Sequence, residues 1–486
     1  MSISFVLNGR PVALSDLKPT TTLLEWLRAS GLTGTKEGCA EGDCGACTVA
    51  ILDRGGLGPP AWRSVCSCIL LLPQLDGVEV LTVEGLAQAG QLHPAQSAMV
   101  EALGSQCGYC TPGFVLSLFE ATYRSDLTER RRLDDQICGN LCRCTGYRPI
   151  RDALDVVAGQ CPKDRFAARL DAPAEPLGEV ALRAGEARWH RPTDWDAATA
   201  LVAEGARVVA GATDLGLHVT QRHAAWPLVV DVAALPGIRT LEDTEEGWRL
   251  GAGLRLSELE SWADGALPVL ARMLRYFGSR QIKNGATLGG NLCNASPIGD
   301  LAPVMLALDA TAVIRGQTGT RRVPMSSFFE DYRQTALLQG ELLAAVEIPR
   351  PDPDAHVAAY KVSKRRELDI SGVAGAFFIQ TGADDRVLTA RLAYGGMAAT
   401  PKRARQAEAA LMGQRWSLDA VESACSALLQ DFAAIDDHRA SAWYRTTVAA
   451  NLLRGFIEET RDASAAPLSD RPTSTVPLAA TLEEGA

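Results

Sequence analysis

Histidine is scarce in this 486-residue chain, with six in all. None stands in an HExxH string or a metal-like cluster, so a histidine-based zinc hydrolase site is excluded. GxGxxG after a strand, GxSxG and Walker A strings are also missing, which removes a Rossmann dinucleotide site, a hydrolase nucleophile elbow and a P-loop. No apolar run approaches the roughly eighteen residues of a membrane span, because ILLLPQLDGVEVL and LAPVMLALDATAVI both carry acids. Basic charge is short as well. Lys and Arg total 48 against 58 Asp and Glu, for a net charge of −10, so neither nucleic acid nor a membrane is expected as a partner. The start, MSISFVLNGR, lacks the basic and apolar regions of a secretory signal, which points to a cytoplasmic protein and away from a disulfide framework.

Cysteine, by contrast, is plentiful: thirteen residues, most of them in two dense groups. The first, Cys39-x4-Cys44-x2-Cys47 with Cys68 further on, has the spacing of a plant-type 2Fe–2S site, in which one loop wraps the core and a distant cysteine closes it. Structural zinc takes two C-x2-C knuckles or adds histidine, and this loop has three cysteines with no neighbouring His. The second group, Cys107-x2-Cys110 with Cys142-x-Cys144, suits either another iron–sulfur centre or zinc on its own spacing. The first group alone makes the chain a carrier of single electrons. Cys138, Cys161, Cys293 and Cys425 stand apart and read as ordinary buried thiols.

The length suits roughly three to four domains. SISFVL and RPVAL flank an Asn8-Gly9 turn and read as a hairpin. Thr22 and Glu25 form a capping box ahead of LLEWLRAS, the cysteine loop follows, and TVAILD reads as the next strand. HPAQSAMVEAL, PGFVLSLFEATYR and RDALDVVAG have helical period, with Thr111 as N-cap and Pro112 as N1 of the second. Arg130 to Arg132 reads as the solvated face of a helix. The segment after residue 163 has no sustained apolar period and reads as a linker, and past it strands such as ARVVAG and WRLGAG mix with helices such as LSELESWADGA.

Two glycine-rich loops stand out in the second half: Val208-Val209-Ala210-Gly211-Ala212-Thr213-Asp214-Leu215, and Thr287-Leu288-Gly289-Gly290-Asn291. Glycine lets bare backbone N–H groups approach a pyrophosphate, although such turns are more often simply turns. Asp300, in SPIGD, reads either as a helix cap or as a ribose or ring contact.

GCAEGDCGAC, QCGYCTPG and GNLCRCTGYRPI, followed in order by VVAGATDLG, TLGGN, SPIGD and YKVSKRRELDIS, resemble the xanthine dehydrogenase branch of the molybdenum hydroxylase family over residues 1 to about 460. The resemblance implies a multidomain α+β protein: a β-grasp plant-type 2Fe–2S ferredoxin domain at 1–84, a four-helix 2Fe–2S domain at 85–162, a linker at 163–182, a vanillyl-alcohol-oxidase-like FAD-binding domain at 183–350, a CO dehydrogenase flavoprotein-like domain at 351–462, and a flexible tail at 463–486. It implies that Cys107, Cys110, Cys142 and Cys144 hold a second 2Fe–2S cluster. It places Cys68, rather than Cys66, as the fourth ligand of the first cluster, by its spacing to the Asp76-Gly77 turn. FAD contacts are implied at Val208, Val209, Ala210, Gly211, Ala212, Thr213, Asp214, Leu215, Phe277, Ala286, Thr287, Gly289, Gly290, Asn291, Asp300, Leu343 and Lys361.

Family members on one polypeptide continue into a large molybdopterin domain. The resemblance therefore implies an electron-transferring small subunit without its own hydroxylation site, paired with a molybdopterin-binding large subunit in a two-plus-two heterotetramer. The implied electron order is partner molybdenum, helical-domain cluster, β-grasp cluster, FAD, then NAD, as hypoxanthine or xanthine becomes urate.

Overall fold

The computed structural model describes residues 2–15, 17–173 and 176–461. The expected tail at 463–486 lies outside the described residues.

Ile3–Leu7 and Arg10–Leu14 form the expected hairpin, with Asn8 and Gly9 both at positive φ. They lie at one side of a five-stranded sheet in the order Arg10–Leu14, Ile3–Leu7, Glu79–Leu81, Thr48–Asp53, Ala61–Cys66. The Leu23–Ala29 helix starts on the Thr22/Glu25 capping box and covers one face. Thr48–Asp53 is buried at every position, because its two faces serve two cores. Val49 and Ile51 join Leu23 and Leu27, while Ala50 and Leu52 meet Phe114 and Phe119 of the helical domain. The two cysteine-bearing domains thus share one strand.

The helical domain packs Pro94–Glu101, Arg130–Ile137 and Arg148–Val157 around Thr111–Thr122, which is buried throughout from Gly113 onward. Its N-cap is Cys110, not Thr111 as the sequence pattern suggests, so Thr111 and Pro112 are the first two helical residues. The Pro94–Glu101 helix is capped by His93, whose Nδ1 accepts from the Ala95 amide at 3.1 Å. Its Nε2 meets the Tyr123 hydroxyl at 2.9 Å, and that hydroxyl donates to Asp164. These contacts hold the neutral imidazole, and burial pushes its pKa down to about 4. The stability that the ring contributes is complete above its unfolded value near 6.5 and is lost as pH falls from there toward about 4. Thermal unfolding followed over that window by tryptophan fluorescence should show an acid-side decline, which His93→Asn, a non-titrating cap, should flatten.

Phe166 and Arg169, in the expected linker, are docked on the cysteine-bearing domains. Phe166 packs on Phe119 at 5.0 Å between ring centroids, its carbonyl accepts from the Trp62 indole, and Arg169 pairs with Glu79 at 2.7 Å. The last residues of the expected linker already belong to the Val180–Ala184 strand. That strand opens a four-stranded sheet in the order Val180–Ala184, Ala187–Arg191, Leu228–Asp231, Arg207–Val209, parallel in its last two pairings. An antiparallel five-stranded sheet follows, from Leu241–Asp243 to Gly319–Pro324. The last unit is a four-stranded sheet built on Val373–Thr381, with Arg405–Leu411, Leu418–Asp431 and Ala442–Arg461 packed on it around Phe377, Tyr394 and Phe456. The expected multidomain α+β architecture is borne out.

Two further readings differ, those of the isolated cysteines and of the arginine run. Cys161 is exposed, and Cys138 and Cys293 are only partly buried. The Arg130–Arg132 run is not merely solvated, because Arg132 reaches Asp264 of the next domain at 2.6 Å.

Candidate cofactor sites

The first cysteine loop is held between the Leu23–Ala29 helix and the Thr48–Asp53 strand. Gly42 and Gly45 take positive φ there, so the backbone curls and turns its amides inward. Cys39 Sγ accepts from the amides of Glu41 and Asp43, both at 3.4 Å. Cys47 and Cys68 are 2 % and 1 % exposed, whereas Cys39 and Cys44 lie nearer solvent. A hydrogen bond with Cys44 is the main cause that brings the Cys39 thiol down to about 6, and hydrogen bonds from Cys66 and Cys68 hold Cys47 well below the usual thiol range. Cys66 therefore joins the sequence-derived four, with its own sulfur 3.6 Å from the Gly42 carbonyl.

The second group lies at the joints of three helices. Cys142 Sγ is 3.9 Å from Cys144 Sγ, Cys144 Sγ is 3.8 Å from Cys107 Sγ, and Cys110 is hydrogen-bonded to Cys142. Although burial raises the Cys142 thiol, the Thr145 hydroxyl at 3.0 Å and amide at 3.5 Å bring it down to about 7. Among the described residues no three His, Cys, Asp or Glu side chains gather as one metal ion requires. The four sulfurs instead form one chain of neighbours, from Cys107 through Cys144 and Cys142 to Cys110. Cys107 and Cys144 are exposed, as are Leu103, Tyr109 and Leu141 of the same domain.

Both glycine-rich loops come together. Val208–Leu215 leaves the parallel edge of the four-stranded sheet, with Ala212 at φ 59°. A Cβ on Gly211 would lie 1.9 Å from the Gly285 carbonyl, so only glycine allows the loop to touch the start of Ala286–Asn291. Gly289 is closed in by Ala252, while Gly290 is exposed and faces open space apart from Thr287 Oγ1. The Asn291 carbonyl oxygen Oδ1 is buried and has no partner. An orphaned acceptor beside a bare glycine fits a polar ligand laid across both loops.

Asp300 heads the Leu301–Ala307 helix without a capping bond of its own. It pairs with Lys361 at 2.7 Å and accepts from Ser371 at 2.5 Å. Lys361 Nζ lies 6.0 Å from the Phe277 ring centroid, so these three residues form one group. Leu343 is buried in the sheet opposite Ile314, on the strand against which Leu288–Cys293 packs.

The sequence reading missed the residues that join these sites. Leu141 donates its amide to the Cys44 carbonyl at 3.0 Å, which puts one cysteine loop directly on the other. Gly216, just past the first flavin-type loop, is so close to Ile69, next to Cys68, that a Cβ would meet the Ile69 carbonyl at 2.5 Å. Gln74 donates to the Ala210 carbonyl at 2.8 Å. The Arg280–Gly285 helix carries four buried polar side chains, Arg280, Gln281, Lys283 and Asn284. Arg280 reaches Glu120 at 2.9 Å; burial raises that carboxyl, but Arg280 and Arg124 hold it at about 2. Lys283 bridges Asp135 and Glu260, both at 2.7 Å. The only sequence signal was SRQIKN, a polar string directly ahead of a glycine-rich loop.

Two cysteine sets and a flavin-type cradle in one chain define an iron–sulfur flavoprotein. Known families agree: residues 5–70 match the 2Fe-2S iron-sulfur cluster binding domain, 82–155 the [2Fe-2S] binding domain, 184–351 the FAD binding domain in molybdopterin dehydrogenase, and 358–460 the CO dehydrogenase flavoprotein C-terminal domain. The chain belongs to the molybdenum hydroxylase family. It is 31% identical to the xanthine dehydrogenase of Emericella nidulans, over 98% of this chain and 40% of that protein. It is likewise 31% identical to the xanthine dehydrogenase/oxidase of Gallus gallus, over 87% of this chain and 37% of that one. The chain thus spans about two fifths of the length of these relatives. Among solved structures, reconstituted CO dehydrogenase from Oligotropha carboxidovorans aligns with a TM-score of 0.53 and 26% identity, covering 56% of this chain and 96% of that one.

Proposed function

We propose that this chain is the electron-transferring subunit of a cytoplasmic xanthine dehydrogenase, with molybdopterin on a partner chain, two copies of each in the assembly, and NAD as the final acceptor. The observation that carries this reading is the unbroken contact from one cysteine loop to the other, through Leu141 and Cys44, and on to the flavin-type loop, through Ile69 and Gly216. When bound, the clusters carry single electrons and the flavin links them to a two-electron acceptor.

Cys39, Cys44, Cys47 and Cys68 would hold the first cluster, and Cys107, Cys110, Cys142 and Cys144 the second. The amides of Glu41, Asp43 and Thr145 donate to sulfur, which stabilises the more negative, reduced state and so raises the potential. The exposed Cys107 and Cys144, in a domain that also exposes Leu103, Tyr109 and Leu141, suit the face turned to the partner. Val208–Leu215 and Ala286–Asn291 would hold the FAD pyrophosphate, with Phe277, Asp300 and Lys361 around the ring. A cavity of about 450 Å³ begins at Val362, one residue beyond Lys361, lined by Lys364, Ile370, Arg439, Trp443 and Tyr444. Its mix of cations and aromatic faces suits a dinucleotide acceptor.

The test is turnover of the complex copurified from native cells, assayed with xanthine and NAD. Urate and NADH in equal amounts are expected. Activity on carbon monoxide or an aldehyde, but not on xanthine, would move the chain to another branch of the family. A chain that purifies alone, without molybdopterin, would make it a stand-alone redox carrier.

A further inference from the structure

Gln281 belongs to the helix that leads into the second flavin-type loop, yet its side chain ends between the two cysteine loops. It is 1 % exposed. Its Nε2 donates to Asn140 Oδ1 at 2.9 Å, to Ser117 Oγ at 3.1 Å and toward Thr48 Oγ1 at 3.4 Å. Asn140 stands two residues before Cys142, and its own Nδ2 donates to the Gly45 carbonyl at 3.0 Å, between Cys44 and Cys47. Thr48, the residue after Cys47, also donates to Gly45.

The space is filled to the limit. A Cβ on Gly45 would lie 2.3 Å from the Gly139 carbonyl, one on Gly113 2.2 Å from the Gly45 carbonyl, and one on Gly139 2.0 Å from Gln281 Oε1. Gln281 Oε1 itself is buried without a partner, so the amide is held by its donor end alone. A side chain that leaves an acceptor unpaired in order to bind Asn140, Ser117 and Thr48 is fixed by those contacts rather than by its own satisfaction.

We infer that Gln281 is a positioning residue: through Asn140 it clamps the two cysteine loops in register, so that docking of the flavin half fixes the separation of the two clusters. This rests on the proposed function, which supplies the clusters. Without the amide, Asn140 keeps its bonds to Ser117 at 2.6 Å and to Gly45 and Thr48, and Leu141 keeps its bond to Cys44. What is lost is the tie from the flavin half to this network, which loosens the register of the two loops while every proposed ligand stays in place.

The experiment uses the full chain loaded with its cofactors. Iron content and paramagnetic resonance of the reduced, unmodified protein come first; fewer than four irons per chain would overturn the proposed function, not the clamp alone. Pulsed dipolar spectroscopy then reads the distance between the two reduced clusters, and rapid mixing with NADH reads how fast each is reduced. Gln281→Ala and Gln281→Met should keep both clusters and the flavin. Both should broaden the distance distribution and slow reduction of the second cluster severalfold relative to the unmodified protein. Arg132→Gln is the control, since Arg132 joins the same two domains through Asp264 and touches neither cysteine loop; it should change neither reading. An unchanged distribution in both Gln281 variants, equal broadening in Arg132→Gln, or loss of a cluster from both Gln281 variants would each overturn the inference.

Discussion

Cys68→Ser should remove one of two paramagnetic centres from the reduced protein and cut iron from about four to about two per chain, while Cys66→Ser should leave both centres and all the iron. Both thiols are buried and both lie within reach of Cys47, so proximity does not separate them. Their other surroundings do. Cys66 ends the Ala61–Cys66 strand, opposite Thr48, and its sulfur points to the Gly42 carbonyl. A carbonyl favours a protonated donor and repels a thiolate, so that site suits a thiol rather than a ligand. Cys68 lies past the strand, on the turn that carries Ile69 to Gly216. Serine in place of Cys68 offers a shorter, harder donor that iron–sulfur chemistry accepts poorly. Serine in place of Cys66 can still donate to Gly42. Iron analysis and low-temperature resonance on the two variants check this; loss of a centre from Cys66→Ser alone would reverse the ligand assignment.

The cysteine sets and the hairpin-helix-strand frame of the first domain were legible because each rests on local chemistry. Spacing identifies an iron–sulfur loop, Thr22 and Glu25 cap a helix, and Asn8-Gly9 turns a hairpin, whatever the rest of the chain does. The glycine-rich loops were visible but mute alone, since close backbone contact and ligand contact both call for glycine. The two glycines differ in their surroundings: Gly211 is required by the Gly285 carbonyl, while Gly290 faces open space. The contacts of the expected linker and of the Arg280–Gly285 helix were hidden for the opposite reason. Phe166, Arg169, Gln281 and Lys283 act through partners far away in sequence, and no period or spacing signals a contact with Phe119, Glu79, Asn140 or Asp135. The one-residue shift of the N-cap from Thr111 to Cys110 is the usual ambiguity of a helix end, with the Pro112 ring compatible with either of the first two helical positions.

That separation of glycines sets up the last prediction. Gly290→Asp should yield a folded chain with both clusters and little flavin, whereas Gly211→Ala should lose flavin together with stability. At Gly290 an added Cβ meets only Thr287 Oγ1 at 2.9 Å, the hydroxyl that caps the Leu288–Cys293 helix, and a small shift of that side chain relieves it. Gly290→Ala should therefore retain most of its flavin. The aspartate adds a carboxylate on the open side, where the FAD pyrophosphate would lie, and like charges there oppose binding. A weakening of about tenfold or more is expected, which corresponds to about 1.4 kcal/mol. At Gly211 the obstacle is backbone: the Gly285 carbonyl at 1.9 Å and the Ala286 Cα at 3.1 Å cannot step aside without parting the two loops. Flavin-to-iron ratios by absorbance, with thermal unfolding of each variant, distinguish the two effects. Normal flavin content in Gly290→Asp would place the pyrophosphate elsewhere. Normal stability in a flavin-free Gly211→Ala would mean that the loops meet only when the ligand is present.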